Sequence, residues 1–548
     1  MSSQHEAATD APDRASESSA WAPFASRAFV WLWLANAVSA LGTWIQNAAS
    51  AWIMTDLAPS PIMVSLVQAA AQLPVLLLAL PAGAIADLMD RRRLLILTNM
   101  LMLAASAILA IVAAVGNVDP AMLLLLTILL AVGAALNGPA WAASVPLTVP
   151  RLWLAQALVL NSVGFNIARA IGPAIGGLIL AASGATAAFA ANAASFAFVA
   201  LVVGIFLTFP RKQATNNVPP EPFQSAMRIG LVYALAEPVV RSTLVRSAAF
   251  FGCASAIWAL LPLYVRQVLG LSSASFGLMM GVIGTGAVLG GLIMPALSKL
   301  FPRNNLIFLA GASCGLAMVP LAVVPSATIA YAALFVFGIG WIVGASNLQA
   351  TVQLAAAPWV RARALALYQA IFNGAMGLGA ILWGWLGDYA GLTGTILAAG
   401  LVGCAIALVT RAIQLPAEID DPSASATTAP PALSIAEEMA PLLHSAQHRL
   451  RAAVSYEVDP SDAAAFRLAM ADVRLSRYRD GAVAWALSRD VSDPTHWVET
   501  FLIRDWHELQ RGIERLNLAD SEAVIRARSY HLGKELPRVT LLLQHRNT

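Results

Sequence analysis

Charge is what this sequence has least of. Asp, Glu, Lys and Arg make up 11% of 548 residues, against about 25% in a soluble domain, which excludes a chain built only of water-facing domains. Cysteine is scarce as well: Cys253, Cys314 and Cys404 stand far apart in apolar runs. That spacing gives neither a disulfide framework nor a metal-binding pattern, so they read as small core residues. No nucleotide-binding motif is present, nothing forms a nucleophile or metal site, and no cofactor is expected. Residues 1–20 are polar and acidic and lack a basic segment followed by an apolar one, so no cleaved signal peptide is expected. The net charge of +3 gives no ground for nucleic-acid binding, because the basic residues of the apolar part sit mostly in short loops.

Apolar sequence is abundant: 59% of residues are hydrophobic and the mean hydropathy is +0.71. Of the 63 charged residues, 34 fall in 418–548 and only 22 in 29–410. The larger part therefore reads as membrane-embedded and the last part as soluble. A span needs about 20 mostly apolar residues. Six are expected at 29–54, 61–82, 94–115, 121–143, 155–181 and 187–207, and six more at 248–265, 274–296, 306–324, 328–347, 364–386 and 392–413.

The expected organisation is a disordered N-terminal tail (1–23), an N-terminal six-helix half (24–209), a central cytoplasmic loop (210–240), a C-terminal six-helix half (241–415), a linker (416–450) and a soluble domain (451–548). One set of loops carries Arg91, Arg92, Arg93, Arg151, Arg211, Lys212, Lys299, Arg303, Arg361 and Arg363; the opposite set is nearly bare, with Arg266 the exception. The positive-inside rule then puts the basic loops, both termini and the soluble tail in the cytoplasm and the spans in the cytoplasmic membrane. The halves echo weakly: Pro150, Asn161 and Gly176 are matched 208 positions later by Pro358, Gln369 and Gly384. Paired six-span halves are the architecture of many secondary transporters.

Between the second and third spans runs Gly83-Ala-Ile-Ala-Asp87-Leu-Met-Asp90-Arg91-Arg92-Arg93. It resembles the cytoplasmic loop signature of the major facilitator superfamily, with Leu88 where arginine is usual and Asp90 where the pattern has glycine. The resemblance implies a charge latch of Asp87 and Arg91 that holds the outward-facing state; the plainer reading is topology anchoring by three arginines. In the fifth span Gly172, Pro173, Gly176 and Gly177 resemble the antiporter signature of drug exporters, although Val159 and Ala168 replace two earlier glycines. Small residues let helices pack closely and proline bends a span. The runs 73–93, 150–177 and 358–384 resemble one branch, the enterobactin exporter and its relatives, called transmembrane secretion effectors, over about 24–415. Macrolide efflux pumps are a more distant resemblance.

Arg169 lies well inside the fifth span, and Ser162, Asn166, Arg169 and Pro173 share one helical face. An ionisable group at that depth is costly and faces a partner or a cavity. It is either a structural arginine on backbone carbonyls or a group that binds anionic or polar cargo. From 29 to 410 the acids are Asp56, Asp87, Asp90, Asp119, Glu221, Glu237 and Asp388, all near span ends or in loops. A pump for cations would place a carboxylate in its cavity; the absence favours neutral or anionic cargo. The first span carries a polar stripe, Asn36, Ser39, Thr43, Gln46, Asn47 and Ser50, with Asn347, Gln369 and Asn373 similar in the second half. Such stripes line a cavity or bond neighbouring helices; Asn36 and Asn47 are favoured for the cavity.

After a flexible linker at 421–432, the tail reads β-α-β-β-α-β, a ferredoxin-like module. It resembles the antibiotic-biosynthesis-monooxygenase type of dimeric α+β barrel over about 451–544. That resemblance makes His496, Trp497, His507 and His531 available for catalysis, but structural roles are the simpler reading. Trp485 and Leu487 with Phe501 and Ile503 are expected to give the sheet an apolar face that a second copy covers. The expected protein is thus an all-α major facilitator of twelve helices with a small α+β tail. It exports a small molecule, siderophore-like or another neutral or anionic metabolite, as an antiporter with the proton as coupling ion. The alternatives are a multidrug, macrolide or lysophospholipid transporter, or a transporter fused to an active monooxygenase-like domain.

Overall fold

The structure is a computed structural model that describes residues 19–206, 223–357, 359–413, 449–479, 481–515, 518–533 and 535–544. Most of the expected N-terminal tail, much of the central loop and nearly all of the linker lie outside these residues. Two compact units result: one holds Met1–Asn217, Arg246–Asn347 and Gln369–Gln414, the other Val218–Val245, Leu348–Tyr368 and Leu415–Thr548.

The helices start where the sequence supplies caps. Helix α1 (Arg27–Leu57) begins at Ser26, whose side chain accepts from the Phe29 N–H. Helix α2 (Pro61–Leu88) begins at Ser60 and carries Pro61 in its first turn, where proline's missing N–H costs nothing. Asp90 caps α3 (Arg91–Val115) and Asp119 caps α4 (Pro120–Ser144), each accepting from the N–H three residues on. Gly116, in the left-handed region at φ 77°, ends α3.

Helix α5 (Leu154–Phe206) runs 53 residues, about 80 Å at 1.5 Å per residue and far more than one hydrocarbon thickness of about 30 Å. It is two crossings joined at Gly184, whose φ of 73° and ψ of −176° are not helical. Only glycine takes such a backbone freely, and its place between residues 183 and 185 makes the turn as short as a turn can be.

Helix α6 (Phe223–Ala236) lies inside the stretch expected as a loop. The second half follows as α7 (Pro238–Leu263), a π-helical turn Tyr264–Val268, α8 (Ser273–Leu300), α9 (Arg303–Val323), α10 (Ala327–Ala355), α11 (Arg361–Ala390) and α12 (Leu392–Arg411). Eleven helices of the described residues are long and apolar enough to cross a membrane. Counting α5 twice restores the expected twelve. The core of the first half is formed by Phe29 and Leu32 of α1, Leu95 of α3, Trp141 of α4 and Leu160, Val199 and Val203 of α5.

In the second unit, α6 is held to the segment before α11 by Tyr233, whose hydroxyl donates to the Ala355 carbonyl at 3.3 Å and accepts from the Ala357 N–H at 3.1 Å. The tail has strands β1 (Arg449–Glu457), β2 (Ala484–Arg489), β3 (His496–Ile503) and β4 (Arg538–Gln544), in sheet order β2-β3-β1-β4 with antiparallel pairing throughout. With α13 (Ala463–Arg479), α14 (Trp506–Arg515) and α15 (Leu518–Arg528), this is the expected ferredoxin-like order. Helix α13 packs against α15 and also against α6.

The sheet corrects one expectation. Trp485, Leu487 and Phe501 pack into the core with Tyr456, Phe466, Met470 and Trp497, and Ile503 packs with Leu450 and Trp506. They belong to the helix-covered face. Strand alternation leaves Arg451, Ala453, Ala484, Ala486, Val498 and Leu502 on the other face, paired through register with one another and with β4.

Candidate functional site

The polar residues of the membrane part fall into separate groups. On α1, Asn36 Nδ2 donates to Asn161 Oδ1 of α5 at 3.0 Å. One turn away, Trp33 Nε1 donates to the Leu160 carbonyl at 2.8 Å, and a Cβ at Gly164 would meet the Trp33 ring at 3.2 Å. Along α5 the expected face is a hydrogen-bonded ladder. Asn166 Nδ2 donates to the Ser162 carbonyl at 2.8 Å, and Arg169 Nη2 donates to Asn166 Oδ1 at 2.9 Å. Among the described residues no carboxylate pairs with Arg169, so its one polar contact is uncharged.

Gln46 is elsewhere. It is buried, and its Oε1 accepts from Ser106 Oγ of α3 at 2.8 Å and from Asn192 Nδ2 of α5 at 2.6 Å. Gly42 makes this approach possible, since a Cβ there would lie 2.6 Å from Asn192 Oδ1. Gln46 thus ties three helices of one half together, and its Nε2 has no hydrogen-bond partner among the described residues. Sequence reading missed Ser106 and Asn192; the available signal was a polar residue inside each apolar run. Asn47, one position on, is exposed. In the second half Asn373 is buried and donates to the Gln369 carbonyl at 2.7 Å, while Gln369 itself is exposed.

The glycine-proline motif lies where α5 meets two neighbours. A Cβ on Gly172 would sit 2.6 Å from Trp44 Cβ, and one on Gly176 would sit 2.9 Å from Ile45 Cα, both on α1. Gly177 turns the other way: its Cβ would lie 2.6 Å from Gly277 Cα of α8, in the opposite half. A Cβ on Gly277 would in turn lie 3.0 Å from the Pro173 carbonyl oxygen, and Gly281 and Gly284 face Ala174 and Ala170. A second glycine line on α11 repeats this, with Gly377 against Leu73, Gly384 against Ser65 and Gly387 against Pro61 of α2. All these contacts lie toward the end that carries Asp56. Toward the arginine-loop end of α5 and α8, Leu158, Val159, Leu292 and Leu300 are exposed. The glycine contacts between the halves therefore run from the middle of the helices to the Asp56 end.

At the arginine-loop end, Asp90 explains its own departure from the family pattern: its Oδ1 accepts from the Arg93 N–H at 3.0 Å and starts α3. Arg91 donates to the Ala143 carbonyl of α4 at 3.2 Å, and Arg92 donates to the Gly204 carbonyl of α5. The arginines thus anchor three helices of the first half. Among the described residues, a Cβ on Gly83 would meet nothing within 4 Å. The side chain of Asp87 lies outside the described residues.

The cysteines, remote in sequence, converge in the second half. Cys253 and Cys314 line one crevice with Arg246, and a Cβ on Gly315 would lie 2.6 Å from Cys404 Sγ. Arg246 is buried and donates to Asn304 and to the Ile413 carbonyl, joining α7 to the start of α9 and to the residues after α12.

The tail's polar centre is Glu499, which is wholly buried. It accepts from Arg477 Nε at 2.9 Å, Trp485 Nε1 at 3.0 Å and the Tyr456 hydroxyl at 3.3 Å. Burial, and then the charge of Glu499, pushes the Tyr456 hydroxyl well above the usual phenol range. Three of the four residues named for catalysis lie along Tyr456 and Glu457 of β1: Trp497 is in register with Tyr456 and His496 with Glu457, and the His531 ring is 6.4 Å from that of Tyr456. Trp497 packs on Phe466, His531 Nδ1 accepts from the Glu457 N–H, and His496 faces Asp490 at 3.6 Å. His507 lies in α14. Glu499 escaped the sequence reading; the signal was one acid in an otherwise apolar inward row of β3.

Comparison with known proteins follows the same lines. The family model described as transmembrane secretion effector matches residues 18–548. A staphyloferrin A transporter of Staphylococcus aureus is 25% identical over 280 residues, 51% of this chain and 69% of that one. A multidrug efflux pump Tap of Mycolicibacterium fortuitum is 25% identical over 370 residues, 66% of this chain and 89% of the pump. Among solved structures, a bacterial homolog to the human lysosomal transporter Spinster, in an inward-facing and unoccupied conformation, superposes with a TM-score of 0.59. Its identity is 15%, over 71% of this chain and 98% of its own.

Proposed function

Because this chain belongs to the transmembrane secretion effector family, we propose that it is a cytoplasmic-membrane exporter of a neutral or anionic small molecule, siderophore-like in chemistry. The halves rock about a site near the midplane and expose it to each side in turn. The observation that carries the cargo reading is Arg169: a guanidinium inside the fifth span whose one polar partner among the described residues is the uncharged Asn166. Burying a cation without a counter-charge is costly, and an anionic or oxygen-rich cargo would supply what is missing. The similarity to a staphyloferrin A transporter supports this reading. The similarity to multidrug pumps supports the second one, a drug exporter of the macrolide kind.

In the proposed orientation the arginine loops, both termini and the tail face the cytoplasm. In this reading the seam is closed at its Asp56 end, which then lies outside, and parts at the arginine-loop end inside. Asn36, Asn166 and Arg169 contribute to the cargo path, with Asn47, Gln369 and Asn373 along it; Gln46 acts through helix packing. Asp87 and Arg91 form the latch of the opposite, outward-facing state, and Gly172, Pro173, Gly176 and Gly177 form the pivot. The proton is the coupling ion. The tail is an assembly module that pairs with a second copy through its uncovered sheet face, rather than an enzyme, since His496, Trp497 and His531 already engage Asp490, Phe466 and the Glu457 N–H. Mass-spectrometric comparison of culture medium from a deletion strain and its parent tests the proposal. A secreted anionic or neutral metabolite should vanish from the deletion strain and return with the intact gene. Loss of export of organic cations alone would reject the cargo reading.

A further inference from the structure

Arg266 breaks the charge asymmetry of the loops, standing on the otherwise bare side. It sits in the π-helical turn Tyr264–Val268 that ends α7. A π-turn inserts a residue into the helical ladder and is frequent at functional sites. Here it directs two successive side chains onto the other half. Arg266 forms an ion pair with Asp56 and donates to Thr55 Oγ1 at 3.0 Å. Its guanidinium carbon lies 5.8 Å from the centre of the Trp52 ring, a cation–π distance. Gln267 Nε2 donates to the Pro59 carbonyl at 3.0 Å. Under them, Trp52 stacks on Phe276 of α8 at 5.7 Å. All of these partners of residues 266 and 267 belong to α1 or the turn after it.

We propose that Asp56 and Arg266, with Thr55, Trp52 and Gln267, form the gate that holds the seam closed on the side away from the arginine loops. They position the halves for the step in which cargo enters. The proposal rests on the alternating-access reading above and identifies its second latch, at the opposite end from Asp87 and Arg91. The physical reason is that the halves cannot part at this end without breaking every one of these contacts at once. The contacts within each half would survive. The pair is partly exposed, with side-chain accessibilities of 37% for Arg266 and 48% for Asp56. Each contribution is therefore modest, as suits a gate that must open on every cycle. A fully buried pair would lock it.

The test uses the full-length protein with Cys253, Cys314 and Cys404 replaced by alanine and Ser273→Cys added as reporter. Ser273 is buried at the seam, its carbonyl 2.7 Å from where a Cβ on Gly177 would sit. The rate of labelling by a membrane-impermeant thiol reagent is measured in intact cells and in inside-out vesicles. Arg266→Ala and Asp56→Ala should each raise the rate about fivefold, the equivalent of about 1 kcal/mol at 1.4 kcal/mol per tenfold. The exchanged pair Asp56→Arg with Arg266→Asp should return it to within about twofold of the reporter protein. Unchanged rates in both single variants, or an exchanged pair that labels as fast as either single variant, would overturn the gate. Labelling confined to inside-out vesicles would overturn the orientation instead, while the dependence of the rate on the pair would still judge the gate. No cargo is needed, so an error in the cargo assignment leaves the result intact.

Discussion

Gly177 of α5 and Gly277 of α8 meet backbone to backbone across the two halves: a Cβ on Gly277 would lie 2.8 Å from Gly177 Cα. Neither position has room for a methyl group unless the seam widens. Overpacking of this kind costs about 1–3 kcal/mol. Gly177→Ala should therefore disfavour the state seen here and lower transport, while Gly394→Ala, where nothing lies within 4 Å, should leave it unchanged. Initial transport rates at matched expression check this.

Arg169 supplies charge to the interior, so the charge should matter more than the guanidinium's shape. Arg169→Ala is expected to reduce export at least tenfold and Arg169→Lys much less. Efficient export of permanent organic cations, unaffected by Arg169→Ala, would count against the anionic or neutral cargo.

Orientation can be read directly. Cysteines at Ser60 and Gly391 should react with impermeant reagents in intact cells, and a cysteine at Thr215 should not. The reverse pattern would invert the topology and with it the side on which the seam is closed.

Asp87→Asn should impair transport while the protein remains inserted and folded. In the state seen here, Arg91 and Arg92 bond backbone carbonyls of their own half, which is compatible with a latch that engages only in the other state. Transport at the wild-type rate by a well-expressed Asp87→Asn protein would assign this loop to topology alone.

The tail can be tested apart from the membrane part. Residues 449–548 should fold alone and show a dimer mass in light scattering. Glu499→Ala would leave Arg477 and the Trp485 N–H without their shared acceptor and should cost about 3 kcal/mol. Asp459, Asp490 and Asp493 are held below the usual carboxylate range by hydrogen bonds from Ser461, Ser492 and Thr495 respectively. A depressed value means that the charged form is favoured by folding. Their contribution is complete above the unfolded value of about 3.9 and is lost as pH falls through each folded value. The melting temperature should hold down to about pH 4 and then drop, and replacing all three by asparagine should flatten that acid limb.

Much of the fold follows from short-range pattern. Helix count and the ladder Ser162–Asn166–Arg169 need only hydropathy and a period of 3.6 residues, and the element order of the tail needs the strand period of 2 beside it. What escaped depends on partners far away in the chain. Gln46 reads as a cavity residue until Ser106 and Asn192 arrive from α3 and α5. Strand alternation separates Trp485 and Leu487 from Ala484 and Ala486, but it does not say which side the helices cover. Arg266 was visible as an anomaly of topology, yet its meaning came from Asp56, 210 positions earlier. Helix α6 went unread because the polar run before it masked a short apolar periodicity.

The turns on the Asp56 side have a consequence of another kind. Between α1 and α2 only residues 58–60 are free of helix, between α3 and α4 residues 116–119, between α9 and α10 residues 324–326, between α11 and α12 Gly391 alone, and the two arms of α5 are joined through Gly184. If that side is the outer one, anything arriving from the medium finds almost no loop to grip. A protease would lack an extended segment to cleave, and an antibody would have to recognise a rim assembled from several turns at once. Inserted epitope tags would disturb helix ends. A binder selected against intact cells would accordingly report the closed rim as a whole, and would lose its target when the halves part.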